Sequence, residues 1–315
     1  MMQHLSKDKF VVVLILSYNG KHLLQDSIES YLSNKYSNFR VVVIDNGSAD
    51  GTESFILKTY PGVEVIRTEI NLKYSGGLNF GLKYAFEEQK ADYALITNND
   101  VIADRNLISV LVETAENHKD AGFTIGKVYY YEKPDTFQTV GKKFDLVLWN
   151  GGHIGKGEKD KGQYDQIAER AWCDDIYWLV KRELYEKTGG YDTEFAFQGE
   201  DFDWQVRAKQ LGYKIMYTPY AKLWHKESMT IGKTSPFKAY YDARNPLIVH
   251  MKYRSADEFR KYFQIRFRQL VNSSFRQLLR LKFRHVWANV SGLFSALRWG
   301  VRHNKLTLRH FIGIR

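Results

Sequence analysis

The sequence predicts an α/β fold on a parallel sheet, followed by a helical C-terminal segment. Three observations carry this expectation. The first hundred residues alternate between β-branched runs and helical apolar spacing, the pattern of strand–helix–strand units with right-handed crossovers. The strands of that region end in polar, turn-forming residues. Beyond about residue 256 the spacing turns wholly helical and the charge strongly basic.

Residues 10–16 (FVVVLIL) are a continuous apolar run, as a strand buried on both faces requires. Residues 21–34 carry Leu23, Leu24, Ile28, Tyr31 and Leu32 at helical spacing. A second buried strand spans 39–44, and a short helix over 50–60 is halted by Pro61-Gly62. A third strand follows at 63–67, a helix at 76–89 with Leu78, Leu82, Ala85 and Phe86 on one side, and a fourth strand at 93–97. From 121 the pattern changes. A strand is expected over 121–131, hairpins and loop over the Gly-, Lys- and Asp-rich 132–170, and a strand over 176–180. A helical turn over 182–188 closes at Gly189-Gly190, then come a helix over 201–211 and a strand over 214–217 leading into Pro219.

Length and composition bound the answer. The chain of 315 residues fits two domains. With 44% hydrophobic residues, 5 Pro and 23 Gly, it is neither disordered nor collagen-like. The one cysteine, Cys173, excludes an intrachain disulfide framework and an all-cysteine zinc site, and fits a reducing compartment. The run at 10–16 is far short of a membrane span, and Ser-Tyr-Asn-Gly after it argues against a signal peptide. The net charge of +10 is uneven: from Lys252 onward 15 Lys/Arg stand against 2 Asp/Glu, whereas the preceding residues carry 31 basic and 34 acidic. A basic end of this kind suits an anionic partner, nucleic acid or membrane.

In the tail, Phe259, Phe263, Phe267, Leu270, Val271, Phe275, Leu278 and Leu279 recur every three or four places, and a later segment over 286–301 holds Trp287, Val290, Leu293, Phe294, Leu297 and Trp299. These are amphipathic helices with basic flanks, suited to the headgroup layer of a membrane. Packing on the chain's own body, or on a second copy in a homo-oligomer, suits them nearly as well.

In parallel sheets the ligand crevice lies at the carboxyl ends of the strands. The residues there are Ser17-Tyr18-Asn19, Asp45-Asn46-Gly47-Ser48, Asn71 with Ser75-Gly76-Gly77, and Asn98-Asn99-Asp100. Each loop alone reads as turn chemistry; four at one edge point to a site. Asp45 can accept from a ribose hydroxyl or from a pyrimidine imide N–H, or serve only in a capped turn. Asp100 is a hard oxygen ligand suited to Mg²⁺ or Mn²⁺ beside a diphosphate, or a helix cap. His225, in Leu-Trp-His-Lys-Glu-Ser, can supply a second metal ligand, though a lone His is commonly a packed residue. Glu200-Asp201-Phe202-Asp203 opens a helix, where a carboxylate can act as a general base or merely as an N-cap cluster.

Taken in order, Ser-Tyr-Asn, Asp-Asn-Gly-Ser-x-Asp-Gly-Thr, Asn-x-x-x-x-Gly-Gly-x-Asn-x-Gly, Asn-Asn-Asp, Gly-Gly-Tyr-Asp, Glu-Asp-x-Asp and His-x-x-Ser resemble glycosyltransferase family 2 over roughly residues 10–250. The similarity is strongest to the bacterial rhamnosyltransferase-like branch. The resemblance implies a GT-A fold, a Rossmann-like nucleotide half with a mixed central sheet, joined to an acceptor half. It implies a glycosyltransferase domain over 1–250 (nucleotide half about 1–120, acceptor half about 121–250) and a basic amphipathic helical tail over 251–315. In roles, it implies Asp45 at the pyrimidine, Asp100 and His225 at the metal, and Asp201 as catalytic base, with Glu200 orienting the acceptor. Ser17, Tyr18, Asn19, Asn46, Ser48, Asn71, Gly76, Gly77, Asn79, Asn98 and Asn99 would line the nucleotide-sugar. Asn98 stands where the family's metal motif has its first Asp, which bears on metal affinity.

The expected activity is inverting, metal-dependent transfer of a sugar, rhamnose by the branch, from a dTDP- or UDP-linked donor to a glycan or lipid-linked acceptor. The expected setting is cell-surface polysaccharide synthesis on the cytoplasmic face of the plasma membrane. Rival readings are a catalytically weak nucleotide-sugar-binding scaffold and a nucleic-acid-binding protein. The latter accounts for the tail but not for the polar strand exits. A nucleotidyltransferase lacks its basic Gly-rich triphosphate loop here.

Overall fold

The computed structural model describes residues 9–226 and 235–306. They form two units, one of 9–144, 150–196 and 204–226, the other of 145–149, 197–203 and 235–306. The second unit therefore takes in residues well before the expected boundary at 250/251. Residue 236 already opens a helix that belongs with the tail.

The first unit is built on ten strands. β1 (Val11–Ser17), β2 (Phe39–Asp45), β3 (Glu64–Arg67) and β4 (Tyr93–Thr97) run parallel in the order β3-β2-β1-β4. Beyond β4 the order continues β11 (Tyr177–Lys181), β6 (Ala121–Tyr130), β12 (Lys214–His225) and β10 (Ala168–Arg170). β11 is antiparallel to both its neighbours, so the sheet is mixed, as expected. Short β5 (Val101–Ala103) pairs with β12, and β7 (Lys133–Thr139) with β6. β8 (Lys142–Asp145) and β9 (Trp149–His153) form a separate two-stranded sheet.

Alternation within the strands explains why the runs lack polar residues. Val11, Val13 and Ile15 pack with Leu24 and Ile28 of α1 (Lys21–Leu32), Ile56 of α2 (Thr52–Thr59) and Leu107 and Leu111 of α4 (Leu107–Asn117). Val12 and Leu14 pack on the other face with Leu78 and Leu82 of α3 (Lys73–Lys83), Leu184 of α5 (Arg182–Thr188), and Trp204 and Ala208 of α6 (Glu200–Gln210). Both sheet faces are covered, so every strand residue between them must be apolar.

Four expectations need correction. α3 begins at Lys73, three residues before the expected start, and ends in a π-helical turn over Tyr84–Glu88. α4 and β5 occupy a stretch assigned no element from sequence. β12 does not stop before Pro219 but runs on to His225, with a register shift between Tyr217 and Lys222 where the proline's missing N–H is tolerated. α7 (Pro236–Tyr253) was hidden by Pro246 in its interior. That proline cannot bond the Asp242 carbonyl one turn back; Arg266 of α8 (Ala256–Leu279) donates to it instead, at 2.6 Å.

In the second unit α8 starts at a capping box formed by Ser255 and Glu258. α9 (Phe283–Arg302) lays Ala288, Gly292, Ala296 and Gly300, a small-residue stripe at four-residue spacing, into the buried side. A Cβ on Gly292 would land on the Tyr240 carbonyl of α7 and 3.0 Å from the Ala243 Cβ. Gly292→Ala is therefore expected to destabilise the chain by about 1–3 kcal/mol, read as a lower denaturation midpoint.

His250 of α7 stacks on Tyr262 with ring centroids 3.6 Å apart. Burial, and then the positive charge of Arg254, hold its imidazole well below the ordinary range. The unfolded chain thus takes up a proton that the folded one refuses, and stability is lost as pH falls below about 6.5. Melting temperature should drop between neutral and mildly acidic pH in the wild type, and His250→Phe should flatten that drop.

Candidate active site

The parallel strands bring the polar exits to one edge. Ser17 pairs with Asp45 across β1–β2, and Asp45 with Arg67 across β2–β3. Ser17 Oγ is buried there without a hydrogen bond among the described residues. Tyr18 is exposed at the same exit. Asn19 ties the first two exits together: its N–H donates to Ser48 Oγ at 3.0 Å and its side-chain oxygen accepts from the Ala49 N–H at 2.8 Å.

Asp45 is completely buried. One carboxylate oxygen accepts from the Ser48 N–H at 2.9 Å, and the other is ion-paired with Arg67. Arg67 also donates to the Ser48 carbonyl at 2.8 Å. Arg67 is exposed, so the outward-facing member of this pair is the guanidinium. Sequence reasoning missed it, although its place as the last residue of a strand beside Asp45 was the available signal.

Several residues expected to line the nucleotide-sugar also make hydrogen bonds or close contacts within the chain. Asn46 accepts from the Leu72 N–H at 3.0 Å and donates to the Lys73 carbonyl at 2.9 Å and to Asn71. Asn71 accepts from the Lys73 N–H at 2.8 Å, fixing the start of α3. Gly76 and Gly77 lie within α3 rather than in a loop: a Cβ on Gly77 would stand 2.7 Å from Leu16 Cδ1 and 2.9 Å from Asn46 Nδ2. Their lack of a side chain thus permits close packing here. Asn79 donates to the Tyr191 carbonyl at 2.8 Å and accepts from its N–H at 2.9 Å, clamping the Gly-Gly-Tyr-Asp loop. Asn98 donates its backbone N–H to the Ile176 carbonyl at 3.0 Å. Asn99 is buried, its Nδ2 2.6 Å from where a Cβ on Gly20 would be.

Asp100 and His225 do come together. β12 pairs antiparallel with β5, setting His225 opposite Val101, and the Lys226 N–H donates to the Asp100 carbonyl at 2.9 Å. His225 Nε2 lies 3.1 Å from Asp100 Oδ1, both side chains buried. His225 Nδ1 is 2.9 Å from Gln138 Oε1 of β7. With that oxygen accepting the Nδ1 proton, Nε2 is the ring atom that faces Asp100. Two cis donors of an octahedral ion at ~2.1 Å stand about 3 Å apart, so the pair fits a Mg²⁺ or Mn²⁺ ion. Among the described residues no cluster of three or more His, Cys, Asp or Glu side chains forms such a site. Ser228, which closes the His-x-x-Ser motif, lies outside the described residues.

Residues 12–189 match the model of glycosyl transferase family 2. The chain belongs to glycosyl transferase family 2. It is 28% identical over 238 residues to an uncharacterized protein of Sinorhizobium fredii, covering 70% of this chain and 25% of that one. It is 23% identical over 226 residues to the poly-β-1,6-N-acetyl-D-glucosamine synthase of Staphylococcus aureus, covering 70% of this chain and 51% of the synthase. The match thus spans at most about half the length of these relatives. Two solved structures share the fold. The mannosyltransferase PcManGT of Pyrobaculum calidifontis, in complex with GDP-mannose and Mn²⁺, aligns at TM-score 0.54 with 16% identity over 93% of this chain and 75% of its own. S. aureus TarS 1–349, in complex with UDP, aligns at 0.51 with 15% identity over 81% and 70%. The GT-A fold expected from sequence is thereby shown.

The acidic motif of this family 2 chain, Glu200-Asp201-x-Asp203, lies in the second unit, where α7 holds it. Asn245, fully buried, donates to the carbonyls of Phe197 and Gln198 at 2.8 and 2.6 Å. Asp203, also fully buried, pairs with Lys252 and accepts from the Tyr253 hydroxyl at 2.7 Å. Asp203 is therefore an anchor for the start of α6, while Asp201 accepts a local bond from the Phe202 N–H at 2.7 Å. None of these α7 partners was anticipated. Lys252→Met should remove the positive charge beside the buried Asp203 carboxylate and cost about 3–5 kcal/mol in urea unfolding, and the double variant Asp203→Leu/Lys252→Met should recover most of it.

Proposed function

We propose that this family 2 chain is an inverting glycosyltransferase that moves a sugar from a pyrimidine nucleotide-diphosphate donor to a glycan or lipid-linked acceptor in cell-surface polysaccharide synthesis. The observation that carries the reading is the meeting of Asp100 and His225, 125 positions apart in sequence, at a strand-exit edge. The pairing of Ser17, Asp45 and Arg67 at neighbouring exits supports a nucleotide there, with Tyr18 beside it.

Asp201 is the general base of this proposal. It takes the proton of the acceptor hydroxyl while the acceptor oxygen attacks the anomeric carbon opposite the leaving diphosphate, so one displacement inverts the centre. Glu200 orients the acceptor. Asp100 and His225 would hold a divalent cation, Mg²⁺ or Mn²⁺, whose charge offsets that developing on the diphosphate. Gln138 keeps the His225 ring oriented for that task. Asn46, Asn71 and Asn79 act indirectly, holding α3 and the Gly-Gly-Tyr-Asp loop in place. A dTDP-rhamnose or UDP-hexose donor follows from the motif series, and the basic C-terminal helices put the chain on an anionic membrane surface, the cytoplasmic face of the plasma membrane.

Thermal-shift titration with dTDP, UDP and GDP, with and without Mn²⁺, tests the nucleotide and metal parts. Stabilisation is expected from a pyrimidine diphosphate with Mn²⁺, and His225→Ala should remove the Mn²⁺-dependent part. Asp201→Asn should lower donor turnover by a factor of at least about 100 while leaving that stabilisation in place. Turnover near wild type would remove Asp201 from the role. Metal-dependent binding without turnover in the wild type would favour the scaffold reading, for which Asn98 is the motivating residue.

A further inference from the structure

We infer that the turn joining α8 to α9 is the element of this chain that enters a lipid bilayer, and that the bilayer is anionic. The inference rests on the proposed membrane-surface setting of the C-terminal helices and assigns the contact to particular residues. Twelve of the twenty-five exposed large hydrophobic side chains among the described residues lie between Ile265 and Val301. Within that stretch exposure is greatest around the turn: Leu279 is 68% exposed, Leu281 74% and Trp287 72%. Because Ala288, Gly292, Ala296 and Gly300 occupy the buried side of α9, Trp287, Phe294 and Val301 stay on its open side. A groove of ≈510 Å³ next to the turn, lined by Tyr240, Phe283, Arg284 and Trp287 among others, continues the apolar surface.

The charge pattern decides what covers this face. Arg276, Arg280, Lys282 and Arg284 surround the turn, all exposed, and the sequence has no Asp or Glu after Glu258. A second copy docked on the same face would bring two uniformly basic surfaces together, which is unfavourable. Lipid phosphates neutralise them, while the Leu and Trp side chains reach the acyl boundary and the guanidinium groups stay at headgroup level. No described helix is long and apolar enough to cross a membrane, so the contact is one of insertion from one side.

Flotation of the full chain with vesicles of phosphatidylcholine, with and without phosphatidylglycerol, tests the inference. Binding should be roughly tenfold stronger with the anionic lipid and weaken in high salt. The variant Leu279→Glu/Leu281→Glu/Trp287→Glu should lose about tenfold of that binding, whereas Leu57→Glu, an exposed leucine of α2, should bind as wild type. Circular dichroism should show both variants folded. Three results would overturn the inference: equal binding to both vesicle types, full binding by the folded triple variant, or a wild-type dimer in light scattering that the triple variant abolishes. Donor turnover measured without vesicles reads the transferase proposal independently. Its loss there would sink that proposal and leave the docking result standing.

Discussion

The arrangement of the candidate site depends on the register of one strand. β12 must run twelve residues, past Pro219, and pair with β5 so that His225 falls opposite Val101 and beside Asp100. Side chains alternate across a strand, so a slip of one residue would turn His225 to the other face. The irregularity between Tyr217 and Lys222 absorbs the proline and leaves the pairing of residues 222–225 intact. Gln138 then fixes the imidazole from β7, which is held in turn by β6. The meeting of His225 with Asp100 and Gln138 is thus a property of four strands, not of a local motif.

In the second unit α7 has the corresponding place. One helix bonds the 197–198 backbone through Asn245 and neutralises Asp203 through Lys252. Its interior proline is compensated by Arg266, and its packing against α9 is close enough to demand glycine. The carboxylate proposed as base therefore starts a helix whose first turn is anchored at two points, which limits how far that turn can drift.

Legibility in the sequence tracks the distance over which each feature is determined. β1, β2 and β4 stood out because the middle of a strand covered on both faces is apolar, a rule visible in the runs VVVLIL, VVVI and YALI. Strand exits stood out because polar turn residues interrupt such runs. α7 did not, since Pro246, Asn245 and His250 break its pattern and are satisfied only by tertiary partners. The same reason hid Arg67, Gln138 and Lys252. Each acts through a neighbour brought in by sheet or helix packing, and nothing in its own surroundings in the chain marks it. Asn46, Asn71 and Asn79 show a second limit: the sequence marks them as polar strand-exit residues but not the backbone groups they bond, which only the fold supplies.

The GT-A fold does not by itself choose the base of the donor. Of two proteins that share it with this chain, one is in complex with GDP-mannose and the other with UDP. Under the proposed function the choice falls on the exit of β2 and β3. Asp45 supplies an acceptor and Arg67 a donor, side by side, because the carboxylate keeps lone-pair capacity after bonding Ser48 and Arg67. A donor next to an acceptor matches a carbonyl next to a ring N–H. The pyrimidine imide presents that pair, and so does the N1–C6 edge of guanine. Such a pair does not choose among the bases by hydrogen bonding alone, because the N3–N4 edge of cytosine and the N1–N6 edge of adenine also set an acceptor beside a donor. Rejecting a purine requires steric limits instead, and the large exposed side chain at the adjoining exit is Tyr18. If pyrimidine preference is built into this edge, it is by the room Tyr18 leaves over the base rather than by the polar pair that reads it.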